Sequence, residues 1–271
     1  IIEPLRFLER LGAQVSVVPV DSTGLVDPAA IEAALRPNTI LVTVMHANNE
    51  VGTIQPIAQI SEICHEAGVL FHTDAAQSVG KISTRVDELG VDLLSIAAHK
   101  FYGPKGVGAL YIRDGVTLEP LMHGAGHEGG RRAGTENVLL EIGLGTAAEL
   151  AQNLAPAESM RELRDRFWLR LRKTFGDRVV LNGHPELRLP NTLNVSFVGS
   201  IGSDILLGMP EVAATTGSAC HAGSVKMSPV LAAMSTPVDV AAGTIRFSLG
   251  RGTSAEMVDF VADRLRQVIG N

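Results

Sequence analysis

The first 115 or so residues alternate between two apolar patterns. Ile1-Ile-Glu-Pro-Leu-Arg-Phe-Leu-Glu-Arg-Leu-Gly12 places its apolar positions on one helical face and stops at a glycine, which predicts a helix over 1–11. Gln14–Pro19 is a short apolar run and predicts a strand. Asp27 before Pro28 is a capping residue followed by proline at the first helical position, so a helix is expected through Leu35. Thr39–Met45 predicts a strand, and Pro56–Ala67 a helix closed by Gly68. Val69–Thr73, Asp92–Ala97 and Val107–Ile112 are further uninterrupted apolar runs. Strands that do not alternate, separated by helices, belong to a mostly parallel sheet buried on both faces.

The pattern changes further on. His123–Gly130 is a glycine-rich loop, and Glu136–Asn153 is a long helix. After Ala155-Pro156 come a charged amphipathic helix (158–175), a strand (191–197), a helix from about Ser203 and a strand near Val212. A strand at Thr244–Leu249 and a helix at Ser254–Ile269 close the chain. The expected fold is therefore α/β: a large three-layer domain over 1–153, followed by a smaller α+β domain over 154–271.

Composition narrows the function classes. A chain of 271 residues with 45% hydrophobic and 19% charged residues is an ordinary globular sequence, large enough for two domains. A net charge of −6 gives no basic footprint for nucleic acid. No apolar stretch reaches the length of a membrane span. The two cysteines, Cys64 and Cys220, make neither a disulfide framework nor a zinc site, so no metal is expected. A free thiol suits a reducing, cytoplasm-like compartment.

Candidate chemistry gathers at strand ends. Asp74 closes the run from Val69, and Lys100 follows the run ending at Ala97. The carboxyl ends of strands in an α/β sheet are where ligands bind. A lysine and an aspartate there suit pyridoxal phosphate: the lysine forms an imine, and the aspartate pairs with the pyridinium nitrogen. Gln77, one helical turn beyond Asp74, can reach the ring hydroxyl. The local sequence also allows a surface lysine and a capping aspartate. Asn48-Asn49-Glu50 falls at a third strand end, where an Asn pair can also simply make a turn. Cys220 sits among small residues in Thr216-Gly-Ser-Ala-Cys-His-Ala-Gly223, which suits a travelling, reactive thiol; the alternative is a buried, inert one. Cys64, inside an amphipathic helix, is read as structural. Arg246 lies in an apolar strand and needs a partner, either a substrate carboxylate or a structural acid. Arg131-Arg-Ala-Gly-Thr-Glu136 leads into a helix, where amides and Thr135 could bind phosphate or simply cap.

Six strings together resemble the cysteine desulfurases, pyridoxal phosphate enzymes of fold type I. They are His46-Ala-Asn-Asn-Glu-Val-Gly52, His72-Thr-Asp-Ala-Ala-Gln-Ser78, His99-Lys-Phe-Tyr-Gly-Pro-Lys-Gly106, Gly134-Thr-Glu-Asn137, Gly217-Ser-Ala-Cys220 and Arg246-Phe-Ser-Leu-Gly-Arg251. Selenocysteine lyases are close relatives. The resemblance implies that Lys100 anchors pyridoxal 5'-phosphate and moves protons. Asp74 and Gln77 would hold its ring, with Asn49 also in contact, and His99 its phosphate. Thr135 would reach the phosphate of a partner subunit's cofactor. Asn49 and Arg246 would hold the carboxylate of L-cysteine, and Cys220 would take its sulfur as a persulfide, leaving alanine. The implied setting is a cytoplasmic homodimer that passes sulfur to an acceptor or scaffold protein for iron–sulfur cluster and thiocofactor assembly. Ala97 stands where the family often has a hydroxyl residue. The family also carries a phosphate loop and a ring-stacking histidine before the point that corresponds to Ile1, so weak cofactor retention is expected of this chain alone. A cofactor-free docking module is the contrasting expectation.

Overall fold

The computed structural model describes residues 1–216 and 227–270. Four strands form the larger sheet in the order β1 (Leu41–Met45), β2 (Leu70–Asp74), β3 (Leu93–Ala97), β4 (Gly108–Ile112). The first three are parallel and β4 runs antiparallel to β3. The register sets Met45 beside Asp74 and Asp74 beside Ser95, so the carboxyl ends of β1–β3 lie level.

Helices cover this sheet as their sequences dictate. Ile2–Arg10 is a helix, as expected, but buries none of its residues. Pro28–Ala34 starts at Asp27, whose Oδ1 accepts from the Ala29 N–H at 3.0 Å. The helix Ile57–Glu66 buries Ile57, Ile60 and Cys64 against Phe71, Val91 and Leu94. Cys64 is fully buried; burial, with Asp92 nearby, pushes its thiol up to about 11, so it is inert at neutral pH, as its helical position suggested.

The second sheet is antiparallel, β5 (Val179–Leu181), β6 (Thr192–Phe197), β7 (Thr244–Ser248). Two long helices, Ala155–Phe175 and Ala255–Ile269, pack on it. Phe175 meets Phe197 and Phe167 meets Phe247 edge-on, with ring centroids 5.2 and 5.0 Å apart. Each buried ring stabilises the fold by roughly 1.5–3 kcal/mol through area removed from water. Arg170 bridges Asp259 and Asp263 of the facing helix at 2.7 and 2.8 Å.

Several expectations change. Gln14–Pro19 is not a strand. It has no ladder partner and is tied instead by Arg36, which donates to Gln14 Oε1 and Ser16 Oγ at 2.7 and 2.6 Å. An apolar groove of about 710 Å³ is lined by both this segment and Thr39–Met45. The region near Val212 is also not a strand; Thr215 makes a single bridge to Arg246. The helix expected from Glu136 starts at Val138, because Asn137 supplies the cap by accepting from the Leu140 N–H. The helix expected from Glu158 starts three residues earlier, at Ala155, with Pro156 in its first turn.

The two sheets are joined through the loop after β1. Asn194 Nδ2 donates to Glu50 O at 3.0 Å, Arg188 Nη2 to Val51 O at 3.1 Å, and the Leu189 N–H to Gly52 O at 2.9 Å. Ser228 Oγ donates to Glu50 Oε2 at 2.5 Å. Val51, Leu231 and Met234 form a small apolar cluster at the same seam.

Candidate active site

A cavity of about 460 Å³ opens between the ends of the larger sheet and β7. Asn49, Gln77, Lys81, His99, Lys100 and Arg246 line it, with Tyr102 and Arg251 among the further lining residues. Every charged side chain in its wall is cationic: Lys81, Lys100, Arg246 and Arg251. A low-dielectric recess lined by one sign of charge concentrates ligands of the other.

Each element places its residue for a local reason. β3 ends at Ala97, and the chain turns through a short 3-10 helix, Ala98–Lys100. Ala98 is buried in that turn, which leaves His99 and Lys100 exposed to the cavity. The turn closes on Tyr102, whose φ of +69° lies in the left-handed region. That conformation costs a side-chain-bearing residue about 1–2 kcal/mol. It is held from the second sheet's side: Tyr102 Oη accepts from the Arg251 N–H at 2.9 Å, and the Arg251 guanidinium lies 4.8 Å from the ring centroid.

Asp74 ends β2 but is not in the cavity wall; its Oδ1 accepts from the Ala76 N–H at 2.9 Å. This is the capping geometry that the sequence also allowed. Beneath it, His72 bridges Thr43 Oγ1 at 2.7 Å and Ser95 Oγ at 2.8 Å. Gln77 faces the cavity, and its carbonyl accepts from Lys81 Nζ at 2.8 Å.

Arg246 Nη1 donates to Asn49 O at 2.8 Å, so the strand arginine is paired with a backbone carbonyl rather than an acid. Its Nε is buried without a hydrogen-bond partner. A guanidinium in a cavity wall with an unused donor is suited to a planar carboxylate. His46, at the end of β1, is buried and pushed down to about 4 by desolvation, so it is neutral; its Nδ1 has no partner.

Thr135 is exposed in the loop before the helix Val138–Ala151 and does not line the cavity. Cys220 lies outside the described residues. Lys81, Tyr102 and Arg251 were missed by sequence reasoning. Lys81 follows Gln77 by one helical turn, and Arg251 ends the Arg246 string, so the spacing held a signal for both.

The family model for aminotransferase class-V matches residues 1–261. The chain belongs to the class-V aminotransferase family. Family members are pyridoxal phosphate enzymes. Among the curated members is the cysteine desulfurase IscS of Dictyoglomus turgidum, 50% identical over 99% of this chain and 69% of that protein. IscS of an Anaeromyxobacter species is 48% identical over 96% of the chain and 65% of its own length. The chain thus spans about two thirds of the length of these curated relatives. Among solved structures, a NifS-like protein superposes with a TM-score of 0.90 at 37% identity, over 99% of this chain and 72% of that one. A protein titled SspA in complex with cysteine gives 0.78, also at 37% identity. These likenesses establish the fold type I architecture expected from the sequence.

The cavity suits the family's cofactor. Pyridoxal phosphate and an amino-acid substrate each bring an anion, and this wall offers four cationic side chains.

Proposed function

We propose that this chain carries out cysteine desulfurase chemistry, removing sulfur from L-cysteine to give L-alanine. One observation supports this most: Lys100 lines the same all-cationic cavity as Arg246, whose Nε lacks a partner. Identities of 48–50% to proteins named cysteine desulfurase support the substrate class.

Bound pyridoxal phosphate supplies an electron sink for the substrate's Cα. In this reading Lys100 is its covalent anchor and moves the proton at Cα. Asp74, which ends β2 just behind the cavity wall, would pair with the ring nitrogen and keep it protonated, and Gln77 would donate to the ring hydroxyl. His99 and Thr135 serve phosphate, Thr135 at a partner subunit's site. Arg246 and Asn49 orient the substrate carboxylate, which fixes the Cβ–S bond relative to the ring. Asn49 also touches the cofactor. The Cys220 thiolate would attack the substrate sulfur, forming an S–S bond as the Cβ–S bond breaks. The released electron pair stays with the carbon skeleton, and Cβ takes up a proton to complete alanine. The sulfur stays on Cys220 as a persulfide for an acceptor or scaffold protein in iron–sulfur cluster assembly. A thiol with that duty needs a reducing, cytoplasmic setting.

We further propose a division into a cofactor domain, 1–153, and a smaller domain, 154–271, supported by their separate sheets and cores. A homodimer is supported by the exposed apolar side chains Val138, Leu139, Ile142 and Leu150 on one helix.

The test is an absorbance spectrum of the chain with added pyridoxal phosphate, paired with alanine release from L-cysteine. A bound-cofactor band lost in Lys100→Ala, and turnover lost in Cys220→Ser, are expected. Full sulfur transfer by Cys220→Ser would overturn the thiol's role. Turnover of selenocysteine with cysteine untouched would move the assignment to a selenocysteine lyase.

A further inference from the structure

Lys81 has no place in the chemistry above, yet it stands in the same cavity wall. Its Nζ donates to Gln77 O at 2.8 Å and to Lys100 O at 3.3 Å. These two carbonyls belong to different crossings of the sheet. Gln77 follows β2, and Lys100 closes the turn after β3. No carboxylate pairs with Lys81 among the described ion pairs.

We propose that Lys81 is a positioning residue for the cofactor site, its ammonium pinning the Lys100 backbone to the segment that carries Asp74 and Gln77.

This rests on the reading of Lys100 as the cofactor's anchor. A lysine that alternates between holding a cofactor and carrying a proton must swing its side chain while its backbone stays put. The start of the turn is fixed by Ala98, whose N–H donates to Val107 O at 3.1 Å and whose carbonyl accepts from the Phe101 and Gly103 N–H groups. Tyr102 is held by Arg251, and the Lys100 carbonyl itself is held by Lys81. Lys81 adds a brace from the other side. Only a charged ammonium presents three N–H donors, and two of them are committed to these carbonyls.

The position is unfavourable for a lysine whose only duty is stability. Burial, and then the charge of Lys100, push it down to about 8. His99, Arg246 and Arg251 add no negative charge from the other walls. An apolar side chain of similar length would avoid that desolvation. Structural and functional roles therefore predict opposite stability effects.

The experiment compares the full chain with Lys81→Met and Lys81→Arg in three readouts at pH 7. They are the apparent Kd for pyridoxal phosphate, thermal midpoint without cofactor, and amide hydrogen exchange across residues 98–103. Lys81→Met is expected to weaken cofactor binding by ~10- to 100-fold, the scale of losing charged hydrogen bonds. Its thermal midpoint should hold or rise, and exchange across 98–103 should quicken. Lys81→Arg should recover part of the affinity. Affinity within twofold of the unmodified chain, or a loss matched by a fall in the cofactor-free midpoint, would overturn the proposal. If the unmodified chain shows no Lys100-dependent cofactor band, the desulfurase reading fails. The exchange readout, which needs no cofactor, then still decides the clamp: unchanged exchange across 98–103 sinks it.

Discussion

Arg246 and Asn49, 197 residues apart, meet at 2.8 Å, with the guanidinium of β7 donating to the carbonyl of the loop after β1. The contact consumes one donor and leaves Nε unused, so the arginine is oriented before any ligand arrives. Preorganisation of this kind lowers the entropic cost of binding a carboxylate.

Arg246→Lys should therefore fail despite keeping the charge. A lysine cannot hold Asn49 and present a planar fork together. KM for L-cysteine is expected to rise by ~10- to 100-fold with a smaller change in kcat, measured by steady-state alanine release. Unchanged KM would show that the carboxylate binds elsewhere.

Asp74→Asn separates the two roles open to that residue. The amide oxygen can still accept from the Ala76 N–H, so the turn after β2 should keep its stability within about 0.5 kcal/mol. The charge is lost, and with it the pairing proposed for a pyridinium. Activity is expected to fall by ~100-fold or more. A drop in thermal midpoint with activity preserved would make Asp74 only a cap.

His46 gives a pH signature. It is buried and neutral, and its folded value of about 4 lies below the ordinary 6.5. Between those values the unfolded chain takes up a proton that the folded chain refuses. This stability is fully present above pH 6.5 and is lost as pH falls towards 4. The loss has an upper bound of ~3 kcal/mol from this group. Denaturant unfolding at pH 7 and pH 4.5 should show it, and His46→Gln should flatten that part of the curve.

Gly243 precedes β7 at a point with no room for a side chain. A Cβ there would lie 2.0 Å from Phe197 O and 2.8 Å from its carbonyl carbon. Gly243→Ala must push β6 and β7 apart, at a cost of about 2 kcal/mol or more. A lowered thermal midpoint should follow; an unchanged one would mean that the strand pair yields freely.

The fold was most legible in the uninterrupted apolar runs. β1, β2 and β3 lie within one or two residues of the runs that predict them, although only β2 and β3 contain buried residues and β1 lines the open apolar groove. Val15–Val18 has the same composition but no paired strand among the described residues, and a strand is a property of a pair, not of a segment. β5 has three residues, too few for a periodicity to register. For the site, strand ends were the useful signal. Asn49, Gln77, His99 and Lys100 share one cavity because parallel strands align their carboxyl ends, and Arg246 reaches it from the second sheet through its bond to Asn49 O. Thr135 could not be placed that way, since its proposed target belongs to another subunit. Arg246 was expected to need an acid or a ligand; a carbonyl from a distant loop takes one of its donors, which local sequence does not reveal.

The seam along residues 49–54 also carries a consequence for biogenesis. Asn49, Glu50, Val51, Gly52 and Ile54 each take a hydrogen-bond partner at least 130 positions later in the chain. Contacts of such sequence separation form late, because loop closure precedes any gain. During synthesis the larger sheet can assemble early, yet its cavity stays unfinished until β7 has left the ribosome. A nascent chain paused before Arg246 would display Lys100 without the arginine that faces it. On the proposed reading, a complete site would arrive only with β7, the last strand among the described residues.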